Sequence, residues 1–344
     1  MRTSREKRPL VSVLLPAYNA ETTIARAIDS IRSQSFAEWE LVFADDGSTD
    51  RTAEIASAAA RLDARIKVHR FEQRGLVPTL NDAIELARGP SLARMDADDE
   101  SAPDRLGLQV AYLEKHRQTG MVASQVRFGG DRASAPGYAE YVDWTNTVLS
   151  AEEISMNRFI ESPIAHPSVM FRRETLVRYG GYRDTDWPED YELWLRWLDA
   201  GVRIEKLPEP LVTWNDPPDR LSRRHPRYRT EAFYACKCHY LAKWISKTVE
   251  PDRPIILWGA GRITRKRFHT LEESGVTLSG YIDINPRKIG LKIGGLPVHD
   301  IAAIPEDRGW FIVAGVGNRG ARESIRRELE QRGYREGADY VLAA

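Results

Sequence analysis

At 344 residues with 42% hydrophobic content, the chain is long enough for about two domains with their own cores. Fifty lysines and arginines balance fifty acids, so bulk charge argues for no nucleic-acid partner. No run approaches the ~18 apolar residues of a membrane span. Residues 1–8 are basic and lack a signal peptide's apolar core. Cys236 and Cys238 stand alone, which excludes a disulfide framework and a zinc site and points to a reducing, cytoplasmic setting.

The first third alternates strand and helix. Residues 10–15 read as a buried strand, followed by Pro16, Ala17, Tyr18 and Asn19. A helix over about 22–33 carries Ile24, Ala27, Ile28 and Ile31 on one face. Strands at 41–44, 66–68 and 91–93 and helices up to about 62 and over 77–87 complete an alternation that argues for a doubly wound α/β sheet. From 128 to 163 the pattern weakens into loop with one helix near 151–159. It resumes in a strand at 168–171, a helix over 189–199 ending at Gly201, and strands at 202–204 and 211–214.

Residues 220–247 are basic with the single acid Glu231, and their apolar residues keep near-helical spacing. Such a helix either lies on an anionic membrane surface or packs its aromatic face on its own domain. The stretch 248–254 reads as a linker. Beyond it strands at 255–258, 278–282, 311–314 and 340–342 and helices at 263–273 and 321–331 make a second, smaller α/β domain. The expected division is therefore 1–247 and 248–344.

The richest stretch is Ala93-Arg94-Met95-Asp96-Ala97-Asp98-Asp99, which follows an apolar strand. Ligands of open α/β sheets bind at the carboxyl edge, and neighbouring carboxylates there suit one Mg²⁺ or Mn²⁺ that also holds a diphosphate. Ser101-Ala102-Pro103-Asp104 has capping-box spacing, so the next helix accounts for Ser101 and Asp104 but not for the three acids before them. Asp45-Asp46-Gly47-Ser48 follows the second strand. Asp46 can accept from a nucleobase or a ribose hydroxyl, or serve a turn. Glu189 and Asp190 sit in a first helical turn, where the helix dipole favours acids in any case. His166 lines a cleft or satisfies a turn. In the tail, Gly259-Ala260-Gly261 opens a helix and Asp283 ends the next strand, the order of a dinucleotide-type unit, although Thr264 holds the third glycine position. Gly315-Val316-Gly317-Asn318-Arg319-Gly320 has the full spacing but no acid after its next strand.

Five ordered blocks resemble family 2 glycosyltransferases, inverting enzymes of GT-A fold. They are residues 11–19, Asp45-Asp46-Gly47-Ser48-Thr49-Asp50, residues 93–99, His166-Pro167-Ser168-Val169-Met170-Phe171, and Gly180-Gly181-Tyr182 through Glu189-Asp190-Tyr191 to Leu195. The resemblance spans about residues 10–224. It implies a nucleotide-diphosphate sugar donor, with uridine as the expected base, and a hydroxyl acceptor on a bacterial surface glycan or its lipid-linked precursor. It implies that Pro16, Ala17, Tyr18, Asn19 and Asp46 hold the nucleoside, and that Asp96 lies by the ribose. Asp98 and Asp99 would bind Mn²⁺ or Mg²⁺, and Asp190 would be the catalytic base. Two positions depart from the family pattern: Leu80-Asn81 replaces a common Arg-Asn pair, and Asn215-Asp216-Pro217 stands where many relatives carry a histidine. Arg220 or Arg223, with Glu189 and His166, then serves the diphosphate or acceptor side. The expected location is cytoplasmic, with peripheral contact at the inner face of the membrane through the basic helix.

The tail resembles the small Rossmann-like N-terminal domain of bacterial sugar acyltransferases, through residues 281–290 and 294–298. That likeness implies a nucleotide site at Gly259, Gly261 and Asp283, an acceptor module or a docking surface, with docking preferred. Two other functions stay open. One is a non-catalytic nucleotide-sugar-binding partner, against which Asp98 and Asp190 argue. The other is an NAD-dependent sugar oxidoreductase acting through the tail, against which the lack of a Tyr-x-x-x-Lys pair argues.

Overall fold

Eight strands build the first sheet: β1 Val11–Ala17, β2 Trp39–Asp45, β3 Ile66–Arg70, β4 Ser91–Arg94, β5 Glu100–Ser101, β6 Thr119–Phe128, β7 Met170–Arg172 and β8 Arg203–Trp214. Their order is β3-β2-β1-β4-β7-β6-β8-β5. The first four run parallel, β7 is antiparallel to β4 and β6, and β5 is antiparallel to β8. Every residue of β1 and β2 is buried, as continuous apolar strands covered on both faces require. Helix Ile24–Arg32 covers one face with Ile24, Ala27, Ile28 and Ile31. The computed structural model describes residues 8–218, 220–318 and 320–344; residues 1–7 of the basic N-terminus and Arg319 of the second glycine match lie outside the described residues.

The second sheet contains β9 Ile255–Trp258, β10 Leu278–Ile282, β11 Lys292–Ile293, β12 Leu296–His299, β13 Phe311–Ala314 and β14 Tyr340–Leu342, in the order β11-β12-β10-β9-β13-β14. Apart from the antiparallel β11–β12 pair, its neighbours are parallel.

Two compact units result. The first comprises residues up to Ile154, Pro163–Thr185 and Ala200–Arg224; the second comprises Ser155–Ser162, Asp186–Asp199 and His225–Ala344. The division is not one cut at 247/248, and the reason is packing. Helix Thr230–Thr248 buries Tyr234, Cys238, Leu241 and Ile245 in one core with Leu257, Phe268 and Phe311 of the second sheet's layers. Phe159, Tyr191 and Leu195 join that same core. The apolar side of the basic helix therefore packs inside its own unit. Among the described residues no helix is long and apolar enough to cross a membrane.

Candidate active site

Strand register places three loops on one edge. Ala17 is paired with Asp45, and Leu14 with Arg94, so the segments after β1, β2 and β4 all leave from the carboxyl ends of neighbouring strands. The strand order reverses between β1 and β4, which is where such sheets bind ligands.

Past β4, ligand oxygens of Asp96, Asp98 and Asp99 lie within 4.8 Å of one another. Asp99 is 1% exposed. Its Oδ1 accepts from the Asn215 amide at 2.7 Å, while its Oδ2 is buried and has no hydrogen-bond partner among the described residues. Burial, then the charge of Asp96, pushes the Asp98 carboxyl up to about 6. The same two causes, with Asp98 added, push Asp99 well above the usual carboxylate range. Three crowded carboxylates with one orphaned oxygen form a site short of positive charge. A hard divalent cation with oxygen ligands fits it.

Cations from the chain offset part of that deficit. Arg94, almost wholly buried, is ion-paired with Asp96. Arg105 is buried beneath it and donates to the Arg94 and Val169 carbonyls at 2.7 and 3.3 Å and to Gln109 at 3.1 Å. Arg220 stacks between the rings of Tyr138 and Trp214, 4.8 and 4.6 Å from their centroids, and donates to the Tyr138 hydroxyl. Arg223 turns to Asp216 at 2.6 Å. The pairing of Glu100 with Thr213 at the end of β8 delivers Asn215, whose side chain donates to the Asp98 carbonyl at 2.8 Å.

At the carboxyl end of β1, Pro16 and Ala17 close the strand, and Tyr18 is 45% exposed. Asn19 adopts φ 48°, an αL conformation that asparagine tolerates. Its side chain accepts from the Thr49 amide at 2.9 Å, and its own amide donates to Ser48 Oγ at 3.0 Å, so the loops after β1 and β2 are tied together. Asp46 is heavily engaged: its carboxylate accepts from the Arg74 and Gly75 amides at 2.8 and 2.9 Å and from the Thr79 hydroxyl at 2.9 Å. It ties down the turn that leads into helix Leu76–Leu86. His166, buried and 2.7 Å from the Tyr182 hydroxyl, is held well below the usual imidazole range by burial and then by Arg94. Asn81 donates to the Tyr182 carbonyl at 3.0 Å, which fixes the same corner.

Glu189 and Asp190 belong to the second unit, in the first turn of helix Glu189–Asp199. Asp190 Oδ1 accepts from the Tyr191 amide at 2.7 Å. Glu189 is 2% exposed, accepts from the Tyr228 hydroxyl at 2.7 Å and faces Arg227 at 3.7 Å. In the tail, Asp283 accepts from the amides of Ala260 and Asn285 at 3.1 and 2.8 Å and from Lys288 Nζ at 2.8 Å. Among the described residues, a side chain added at Gly261 would meet only that Lys288 nitrogen, at 3.9 Å, so the helix start there is bordered by a cation. A phosphate suits that helix start. Asp283 already spends its oxygens on the loop.

Sequence reasoning passed over Arg94, Arg105 and the contact of Asn215 with Asp98 and Asp99. A charged residue ending the otherwise apolar strand Ser91–Arg94 was the one local signal.

Residues 12–180 match the family model described as "Glycosyl transferase family 2", and residues 250–330 match that of "CoA binding domain". Over 238 residues the chain is 35% identical to EpsE of Bacillus subtilis (strain 168), described as a glycosyltransferase; the match spans 67% of this chain and 82% of EpsE. It is 26% identical over 243 residues to the O-antigen biosynthesis glycosyltransferase WbnJ of Escherichia coli, spanning 69% and 90% of the two chains. Among solved structures, S. aureus TarS 1-349 in complex with UDP-GlcNAc matches with TM-score 0.54 at 19% identity, over 77% of this chain and 71% of that one. The mannosyltransferase PcManGT from Pyrobaculum calidifontis, in complex with GDP-Man and Mn²⁺, matches with TM-score 0.51 at 21% identity, over 78% and 70%. These two likenesses speak to fold. The larger sheet is of GT-A type and the smaller one Rossmann-like.

Proposed function

This chain belongs to glycosyltransferase family 2, and on that premise we propose that it is an inverting, metal-assisted enzyme acting on a nucleotide-diphosphate sugar. The expected base is uridine, and the acceptor a hydroxyl of a bacterial surface glycan or its lipid-linked precursor. The observation that carries the reading is the orphaned Oδ2 of buried Asp99 among three carboxylates. The UDP-GlcNAc and GDP-Man/Mn²⁺ complexes of the fold neighbours, and the O-antigen role of WbnJ, support donor, metal and acceptor class.

Asp98 and Asp99 would hold the cation, with Asn215 fixing the angle of Asp99 through its amide. When bound, the cation supplies Lewis acidity for the departing diphosphate. Arg220, caged by two rings, keeps a positive charge near the acids without side-chain freedom to lose. The loop from Pro16 to Asn19 lines the nucleoside, and Asp46 holds that wall in shape from behind through the Arg74 and Gly75 amides. Asp96, paired with Arg94, serves the ribose. Asp190 accepts the proton of the attacking hydroxyl. A carboxylate is a weak base for an alcohol, so it acts chiefly as bond formation acidifies that proton, and orientation carries the rest. In the tail, Gly259, Gly261 and Lys288 suit the phosphate of a nucleotide, with coenzyme A the first to test.

The test is a thermal-shift panel on the full chain, with UDP- and GDP-sugars, with Mn²⁺ or with EDTA. Stabilisation by a UDP-sugar only when Mn²⁺ is present is expected. Equal stabilisation in EDTA removes the metal from the proposal, and none by any nucleotide sugar removes the donor class.

A further inference from the structure

The second unit contains a cavity of about 340 Å³ that the transferase reading does not use. This lies at the lower end of the ~300–1,000 Å³ usual for small-molecule sites. Arg158 lines it and is 8% exposed. The guanidinium lies 4.6 Å from the Phe159 ring centroid and 5.6 Å from that of Trp244. Its hydrogen bonds go from one nitrogen to the carbonyl and hydroxyl of Ser155, both neutral.

A guanidinium presents five N–H donors in a planar fork that matches a carboxylate. Here the rings occupy its neighbourhood on the apolar side, and among the described residues no acid reaches it within ion-pair distance. The charge of Asp199 acts on it, but Asp199 Oδ1 is bonded to Lys247 Nζ at 2.7 Å. Burying a cation among neutral partners costs more than those partners return. The charged lining is Arg158 and Lys247 against Asp199, one positive charge in excess. Trp244 and Phe159 add aromatic surface beside that charge.

We propose that this cavity binds a carboxylate carried on a ring-sized body, the carboxylate taken by Arg158 and the ring lying against Trp244. The site is separate from the donor chemistry above and does not rest on it. A sugar acid and an aromatic acid share the chemistry, and the experiment separates them.

The test is calorimetric titration of the full chain with glucuronate, benzoate, glucose and inorganic phosphate, repeated on Arg158→Gln and Lys247→Gln. One-to-one binding of glucuronate or benzoate is expected, with glucose silent. Arg158→Gln weakens the bound acid about tenfold or more, and the exposed Lys247→Gln weakens it less. Glucuronate above benzoate identifies a saccharide ligand, and the reverse an aromatic one; either supports the site. Binding of neither acid, preference for phosphate over both, or an affinity unchanged in both variants overturns the proposal. Circular dichroism and the unfolding midpoint of each variant verify folding, and Lys247→Gln decides the outcome if Arg158→Gln is unstable.

Discussion

Replacing Asp99 by asparagine sets two effects against each other, and the structure fixes the sign of each. Without metal, the buried carboxylate has one oxygen lacking a partner and is repelled by Asp96 and Asp98. An unsatisfied buried acceptor costs about 1–3 kcal/mol, so asparagine, nearly isosteric and able to donate to those neighbours, raises metal-free stability by up to that amount. With metal, the wild type gains and the variant does not. A cation at 100 times its dissociation constant adds ~2.7 kcal/mol. For a unit of this size, at ~2–4 °C per kcal/mol, that is ~5–11 °C of melting temperature. Thermal unfolding of both proteins in EDTA and in a Mn²⁺ series should therefore show crossing curves, with the variant higher at zero metal and lower at saturation. A variant that is less stable in EDTA yet keeps the full Mn²⁺ shift would refute the argument from the orphaned oxygen.

Asp190→Asn should retain the donor-induced thermal shift while release of nucleoside diphosphate in the presence of acceptor is lost; normal turnover would remove Asp190 from the role of base. Asp46→Ala strips acceptors from the Arg74 and Gly75 amides, and urea unfolding should report a loss of about 1–3 kcal/mol with or without donor. A change within ~0.5 kcal/mol would show these bonds to be dispensable. Lys206, 5% exposed, is pulled down by burial to about 7, although its ammonium donates to the Pro163 carbonyl at 2.8 Å. Between pH 7 and the ordinary lysine value of 10.5 the unfolded chain then holds a proton that the folded chain has released, so stability rises with pH across that window. Relative to Lys206→Met, wild-type stability should climb by up to ~1.4 kcal/mol per pH unit there, and a flat difference would mean the amine stays charged.

What the sequence disclosed tracks how local each signal is. β1 and β2 are continuous apolar runs and read directly as buried parallel strands. The acids at 96, 98 and 99 fall within four residues of chain, so their clustering was legible locally. β6, Thr119–Phe128, was hidden because Ser124 and Gln125 interrupt its apolar pattern, and Gln125 finds its partner in the distant Asn146 carbonyl. Helix Pro136–Thr147 buries only Ala139, Val142 and Thr145, too narrow a stripe to announce itself. The capping-box reading of Ser101 to Asp104 fails because Ser101 pairs in β5 and Asp104 itself stands at the N-cap, its carboxylate accepting from Ser35. Asn215 meets Asp99 across 116 residues of sequence, a contact made by strand pairing that no local pattern encodes.

The interleaved division of the chain has a consequence for its birth on the ribosome. Segments 155–162 and 186–199 emerge early, yet the core they enter is completed by strands that end at Leu342. At ~5–20 residues per second, the helix bearing Asp190 waits about 7–30 s after synthesis for its partners. During that interval Tyr191 and Leu195 lack the strands that complete their core, a window for chaperone capture that narrows once Leu342 has been translated.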